Sequence, residues 1–352
     1  MSPASGHELV VLPSIDLTDG VGAVVALGLA FGLVLVVMPP LIRKMKAGGM
    51  VGKDVNKASK PEVAELGGIA ALFAFSVSLS LVVGLQKLLG NVAEPPFLAA
   101  ISVFFMAGMI GLIDDISNIR QRLKAVAVSF AALPLMLVHL GPETINLPLG
   151  FQISFPSGIH LLYWLILVPI GVTGFANAMN MSAGYNGLES GQIAIASVSL
   201  LAVVTLRHSP DYASLIFAAI AGSSLGLYVF NRYPSRIFIG DIGTLGLGAA
   251  LASGVILGHI EFYGLVVIAP AFYEAIATTY YGFHKENGKR KLACRNPVIR
   301  SDGSLQPPDG AGMYTLAYWL LSKKPMHEKT LVLVLLGLYM LSAATAIALS
   351  VI

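Results

Sequence analysis

Phe97-Leu-Ala-Ala-Ile-Ser-Val-Phe-Phe-Met-Ala-Gly-Met-Ile-Gly-Leu-Ile113 is an unbroken apolar run that stops at Asp114-Asp115. Ile116-Ser-Asn118-Ile-Arg120-Gln-Arg122-Leu-Lys124 follows with three cations, and Ala125 to Leu140 is apolar again. Runs of this length suit a hydrocarbon layer about 30 Å thick. The segment therefore reads as two membrane spans joined by a short polar turn. An aspartate at mid-bilayer costs about 2.5–3.5 kcal/mol on insertion scales. Two in succession belong at the water boundary, where they can hold a hard cation such as Mg²⁺. A solvated turn with anchoring cations is the plainer reading of an isolated Asp-Asp, and the other polar segments decide between the two.

The whole chain repeats this pattern. Only 12% of its 352 residues are charged and 56% are hydrophobic, with a mean hydropathy of +0.78. That composition argues against a soluble chain and predicts an all-α polytopic membrane protein, a single transmembrane catalytic domain over 1–352. Ten spans are expected, at about 21–41, 67–86, 97–113, 125–140, 159–176, 190–206, 212–230, 242–260, 262–283 and 330–351. Pro134 and Pro169 interrupt the fourth and fifth, as membrane helices tolerate. The lone Cys294 excludes an intrachain disulfide and a cysteine metal site. Residues 1–20 are polar and acidic, without the basic start of a cleavable signal peptide.

Ten spans place both termini on one side, and the cations test that arrangement. Loops 42–66, 114–124, 231–241 and 284–329 hold twenty of the twenty-two Lys and Arg; the other side has only Lys87 and Arg207. The positive-inside rule then puts those loops, with 177–189, in the cytoplasm and both termini outside. The polar motifs fall on the same side, so the active site is expected to be cytoplasmic.

Four segments carry candidate chemistry. Loop 42–66 contains Gly52-Lys-Asp-Val-Asn-Lys57 and Glu65-Leu-Gly-Gly-Ile69. Its cations can meet phosphate, Glu65 can accept from a base, and Gly67-Gly68 permits a close approach; an anchoring loop at a helix start is the bland alternative. Asn177-Ala-Met-Asn180 leads to Asn186-Gly187-Leu-Glu189. Asparagines supply neutral oxygens to a cation and donors to phosphate or sugar, whereas a plain Asn-Gly turn asks for less. Asn231-Arg-Tyr-Pro-Ser-Arg-Ile-Phe238-Ile-Gly-Asp241 ends where the eighth span begins, so Asp241 is either a helix-start acid or a third carboxylate facing the pair. Loop 284–329 is long and basic, with Lys289-Arg-Lys291, Arg295 and Arg300, and suits an anionic ligand or acidic headgroups. Carboxylates, asparagines and cations at one face imply a diphosphate ligand that brings Mg²⁺.

At these motifs the sequence resembles the polyprenyl-phosphate N-acetylhexosamine-1-phosphate transferases (glycosyltransferase family 4), nearest to the eukaryotic and archaeal branch that uses UDP-GlcNAc and dolichyl phosphate. The likeness rests on Gly52 to Lys57, Asn177 to Gln192, Tyr233 to Asp241 and Pro325-Met-His-Glu328, and it runs from the second span onward. It implies that Asn180 and Asp241 are Mg²⁺ ligands, with Mn²⁺ an alternative ion. It implies that Asp114 and Asp115 organise the metal and activate the lipid phosphate, with Lys124 and Asn118 near the diphosphate. Glu65, Asn186 and Phe238 match nucleotide contacts, Phe238 by stacking near uracil. Lys57 is assigned with Lys124 to the lipid phosphate or diphosphate. The family's basic sugar-recognition motif has no clear match, and either Lys289-Arg-Lys291 or the stretch from Arg295 to Arg300 stands in for it. The partners implied are UDP-GlcNAc, a polyprenyl or dolichyl phosphate and the bilayer, with no nucleic acid, and the resemblance leaves room for a homodimer. The implied location is a prokaryotic plasma membrane, archaeal by the compact length, or the endoplasmic reticulum of a eukaryote. Other expectations remain open: the same reaction with a different UDP-N-acetylhexosamine or with undecaprenyl phosphate for cell-envelope glycans, or, outside enzymes, an anionic-solute transporter.

Overall fold

The computed structural model describes residues 20–89, 95–117, 119–138, 144–156, 159–283, 285–286, 289–290, 296–308 and 315–352. In chain order its helices are α1 (Val21–Ala47), α2 (Gly68–Leu89), α3 (Pro95–Ser117), α4 (Gln121–Ser129), α5 (Leu133–Val138), α6 (His160–Leu162) and α7 (Val168–Met181). They continue as α8 (Leu188–Leu206), α9 (Asp211–Asn231), α10 (Gly240–Leu257), α11 (Glu261–Val267), α12 (Ala269–Phe283), α13 (Leu316–Lys323) and α14 (Glu328–Ser350). Among the described residues, eight candidate spans are long and apolar enough to cross a bilayer, counting His160–Met181 as one across its π-helical turn at Tyr163–Leu167. This is an all-α, integral multi-pass membrane protein.

Two of the ten expected spans differ in form. Helices α11 and α12 are long and apolar enough to cross only when taken together, and they meet at 72°, the form of a broken span or a re-entrant loop. Pro270 has no N–H to give the carbonyl of Val266, and the Ser342 hydroxyl of α14 donates to that carbonyl instead. The expected fourth span is a shorter apolar helix, Leu123–Val138. A 3₁₀ turn at Phe130–Ala132 interrupts it just before Pro134, which likewise leaves the Phe130 carbonyl without its helical donor.

Helix α10 is the centre of the bundle. It packs against α3, α7, α2 and α9, and 89% of its apolar window is buried. Small residues make this possible, as is usual where helices meet inside a membrane. A Cβ on Gly68 would collide with the backbone of Gly243, and one on Gly111 would collide with the backbone of Asp241. The starts of α2 and α10, and the end of α3, therefore touch main chain to main chain.

Outside the helices, a short hairpin decides where the polar loops lie. Strand β1 (Val51–Lys53) pairs antiparallel with β2 (Glu62–Ala64). The segment entering α10 docks onto it: Phe238 N–H donates to the Ala64 carbonyl at 2.7 Å, and Gly67 and Gly68 donate to Phe238 and Ile239 at 2.9 and 2.8 Å. Loop 42–66 and loop 231–241 thus form one structural unit at the end of the bundle where α10 begins.

Candidate active site

The aspartate pair is not in a turn. Helix α3 runs on through Asp114 and Asp115 to Ser117, because Gly111 lets its last turns lie against the start of α10. Neighbouring side chains on a helix point about 100° apart, and the two carboxylates accordingly take different partners. Asp115 accepts the backbone N–H groups of Asp241 (2.8 Å) and Ile242 (3.1 Å). It caps the first turn of α10, where unpaired N–H groups and the positive helix end favour a carboxylate. Asp114 faces the other way, accepting from the Ile119 N–H at 2.6 Å and from the Lys124 ammonium at 2.8 Å.

Lys124 is the hub. Its ammonium lies 2.8 Å from Asp114 Oδ2, 2.6 Å from Asp241 Oδ2 and 3.4 Å from Asn180 Oδ1, and its side chain is only 3% exposed. Asn180, on the last turn of α7, donates through Nδ2 to Asp241 Oδ1 (2.7 Å) and to the Thr244 hydroxyl (2.9 Å). Thr244 follows Asp241 by three residues and so shares its face of α10. A buried charge is costly unless paired and hydrogen-bonded, and every member of this group is both or is bonded to one that is. Residues up to 127 positions apart in the chain are thereby joined in one polar cluster.

The donor set fits a hard divalent ion. The oxygens of Asp114, Asp241 and Asn180 converge on one positive centre, the Lys124 ammonium. Among the described residues no three His, Cys, Asp or Glu side chains gather into a cage. Magnesium is commonly held by one or two carboxylates, with substrate phosphates and water completing its shell, and two carboxylates with an amide oxygen match that pattern.

Asp241 and Thr244 open onto a cavity of about 270 Å³. Asp54, Asn56, Asn186, Glu189 and Phe238 line it further out. Phe238 is half-buried and is fixed by its two backbone bonds to β2 and Gly67. The Glu65 carboxylate lies beside the same ring, over Gly52, where a Cβ would touch both. A second cavity of about 290 Å³ shares the wall Asn56, Ala183, Gly184 and Tyr185 and continues to Glu274, Asn296 and Tyr318. Burial pushes the Tyr185 phenol up from its ordinary pKa, so it stays a neutral hydroxyl.

The structure brings together Asp114, Asp115, Lys124, Asn180 and Asp241, and sets Asn186 and Phe238 on the adjoining cavity with Glu65 beside Phe238. Lys57 is elsewhere engaged. Its ammonium is bonded to Asp54 and, at 3.3 Å, to Glu328, and it sits over the Tyr233 ring. Arg300 is exposed at a turn between Val298–Ile299 and Leu305–Gln306, outside the lining of either cavity. In the same turn, hydrogen bonds from Ser304 hold the Asp302 carboxyl below its usual pKa. Asn118 and Arg295 lie outside the described residues. Sequence reasoning missed Thr244, Asp54, Asn56 and Glu328 as site residues. The last three lie inside motifs it quoted, and the spacing of Asp241 to Thr244 was the available signal for the first.

Comparison with known proteins supports one assignment. Residues 97–259 match the model of glycosyl transferase family 4, the stretch that carries Asp114, Asp115, Lys124, Asn180, Asn186, Phe238 and Asp241. A Saccharolobus solfataricus protein, provisionally named UDP-N-acetylglucosamine–dolichyl-phosphate N-acetylglucosaminephosphotransferase, is 35% identical over 243 residues, 68% of this chain and 69% of that protein. A Sulfolobus acidocaldarius protein with the same provisional name is 31% identical over 245 residues, 68% of this chain and 72% of its own length. The phospho-N-acetylmuramoyl-pentapeptide-transferase of Lactococcus lactis subsp. cremoris is 31% identical over 267 residues, 72% and 78% of the two chains. With that coverage, and with the polar cluster inside the matched stretch, the chain belongs to glycosyl transferase family 4.

Proposed function

We propose that this protein transfers GlcNAc-1-phosphate from UDP-GlcNAc to a polyprenyl phosphate, dolichyl phosphate in the first instance, and releases UMP. This would be the first step of lipid-linked oligosaccharide synthesis for N-glycosylation. The observation that carries the reading is the gathering of Asp114, Lys124, Asn180 and Asp241 at the end of a membrane bundle, opening on a cavity lined by Phe238 and Asn186. The names of the archaeal relatives give the substrate pair.

In the reaction an oxygen of the lipid phosphate attacks the β-phosphorus of the donor. The new P–O bond forms as the bond from that phosphorus to the bridging oxygen breaks, and the electron pair leaves on UMP. The products are the lipid diphosphate sugar and UMP. Lys124 places a fixed positive charge where the phosphates meet, and Asp114 and Asp241 hold it there; such preorganised charge is the main tool available for phosphoryl transfer. Asp115 acts through α10, fixing the turn that carries Asp241. Asp241 and Asn180, with Asp114 beside them, would hold Mg²⁺, or Mn²⁺ in its place. Such an ion, when bound, neutralises the diphosphate and the developing charge on the leaving group. Phe238 offers its face to the uracil, and Glu65 and Asn186 offer hydrogen-bonding groups to the nucleotide. Asn118 is assigned to the diphosphate, and Arg295 and Arg300 to the sugar. Lys57, held by two carboxylates, is better suited to building the cavity wall than to gripping a lipid phosphate.

The cation distribution supports a cytoplasmic site with both termini outside. A transporter would need its charged groups near the middle of the spans, whereas these stand at helix ends. A second reading, transfer of a phospho-N-acetylmuramoyl-pentapeptide, is favoured by the names of bacterial relatives such as those of Lactococcus, Limosilactobacillus and Gloeothece. The test is UMP release by purified protein with Mg²⁺, across labelled UDP-sugars and both dolichyl and undecaprenyl phosphate. UDP-GlcNAc with dolichyl phosphate is expected to turn over fastest, and chelation of the metal to stop it. No UMP from any UDP-N-acetylhexosamine with either lipid would overturn the assignment.

A further inference from the structure

Glu328 opens α14, far in sequence from the catalytic cluster, yet it is only 3% exposed. One of its oxygens accepts from the Asn186 backbone N–H at 2.9 Å and from Asn56 Nδ2 at 3.2 Å. The other accepts from the Lys57 ammonium at 3.3 Å. Lys57 in turn pairs with Asp54, also 3% exposed. Asp54 accepts from Asn186 Nδ2 at 2.8 Å, and Asn56 Nδ2 donates to the Gly184 carbonyl at 2.8 Å. Three separate pieces of chain are tied at one point: the loop after β1, the turn between α7 and α8, and the first turn of α14.

The consequence falls on Asn186. Its backbone N–H is held by Glu328 and its side-chain nitrogen by Asp54. The backbone N–H and one side-chain N–H are taken by protein carboxylates, which fixes which way the amide lies and leaves its carbonyl available to a ligand, and Asn186 lines the 270 Å³ cavity. A residue clamped this way presents its carbonyl in one fixed orientation, which an unclamped amide, free to flip, would not do. Burying two carboxylates against one ammonium costs more than a neutral turn would; a loop needing only to close has no use for it.

We propose that Glu328 is a positioning residue for the nucleotide-sugar donor, acting with Asp54 and Lys57 to aim the Asn186 carbonyl at an N–H or O–H of the nucleotide. This rests on the donor assignment made above. The test is a double-mutant cycle on the full-length protein in detergent or lipid, with UDP-GlcNAc and dolichyl phosphate varied separately. Glu328→Gln is expected to raise the donor KM about tenfold or more. The KM for the lipid and the turnover at saturating donor should change less than threefold. Asn186→Ala should give a similar donor effect, and adding Glu328→Gln to it should add less than twofold, because the clamp acts only through that residue. Glu328→Asp should recover part of the donor affinity. A rise in lipid KM, a loss confined to turnover, or fully additive effects would overturn the proposal. If Glu328→Gln does not fold, Asp54→Asn tests the same claim at the other end of Asn186 and must show the same donor-only pattern. Should the wild-type protein turn over no UDP-sugar, the donor assignment fails. The clamp is then judged by calorimetric UMP binding, where the same weakening in Glu328→Gln is expected and unchanged binding would refute it.

Discussion

Replacing Gly111 by alanine tests how tightly the site depends on backbone contact. A Cβ at this position would lie 2.5 Å from the Ile242 nitrogen and closer still to the Asp241 carbonyl. Ordinary contact needs about 3.4 Å or more, and main chain cannot rotate aside as a side chain can. The end of α3 must therefore move about 1 Å from the start of α10. That displacement stretches the two hydrogen bonds from Asp241 and Ile242 to Asp115, now 2.8 and 3.1 Å, and separates Asp114 from Asp241 across Lys124. Overpacking of this kind costs about 1–3 kcal/mol of stability, and a misplacement of about 1 Å can cost on the order of 100-fold in rate. The assay is UMP release, with thermal unfolding in detergent as the companion measurement. Turnover is expected to fall about 100-fold, with a modest loss of stability. Gly84→Ala, where nothing lies within 4 Å of the added methyl, is the control and should keep wild-type rates. Gly111→Ala activity within threefold of wild type would refute the reasoning that this contact sets the geometry of the site.

Other predictions follow from the same cluster and from the cation pattern. Lys124→Met should destabilise the fold by about 3 kcal/mol, the low end for an orphaned buried charge because Asp241 is still 26% exposed, and should remove transfer; unfolding midpoints and UMP release read the two effects separately. Asp241→Ala should abolish transfer while the protein stays folded in detergent, and near-normal turnover would exclude Asp241 from the chemistry. Cys294, the sole cysteine, should react with a membrane-impermeant maleimide in inverted vesicles and not in right-side-out ones; the reverse result would overturn the topology.

The hydropathy runs announced most of the helices because a bilayer demands long apolar stretches. They did not announce where helices end. Asp114, Asp115 and Asn180 look like loop residues by polarity, yet α3 and α7 continue through them, since a carboxylate or amide with a partner can stay on a helix. Proline was legible as an interruption at Pro134. The break between α11 and α12 was not foreseen, because its repair depends on Ser342, a residue more than seventy positions away. That Asp241 and Asn180 would gather with the Asp pair was legible from the polar motifs and the resemblance, and the structure brings them together. The division of labour within the Asp pair was not legible, since it depends on which way each side chain faces. Glu328 was visible only as part of a motif; its partners come from the loop after β1 and the turn before α8, which no local pattern links to α14.

The most direct measurement follows the β-phosphorus. With UDP-GlcNAc labelled in its β-phosphate and an unlabelled polyprenyl phosphate, the label is expected to move into the lipid while the nucleotide leaves as unlabelled UMP, one for each lipid formed. Label retained in a nucleotide released as UDP would mean that the sugar alone had been transferred. The cluster around Lys124 would then not be the site of phosphoryl transfer.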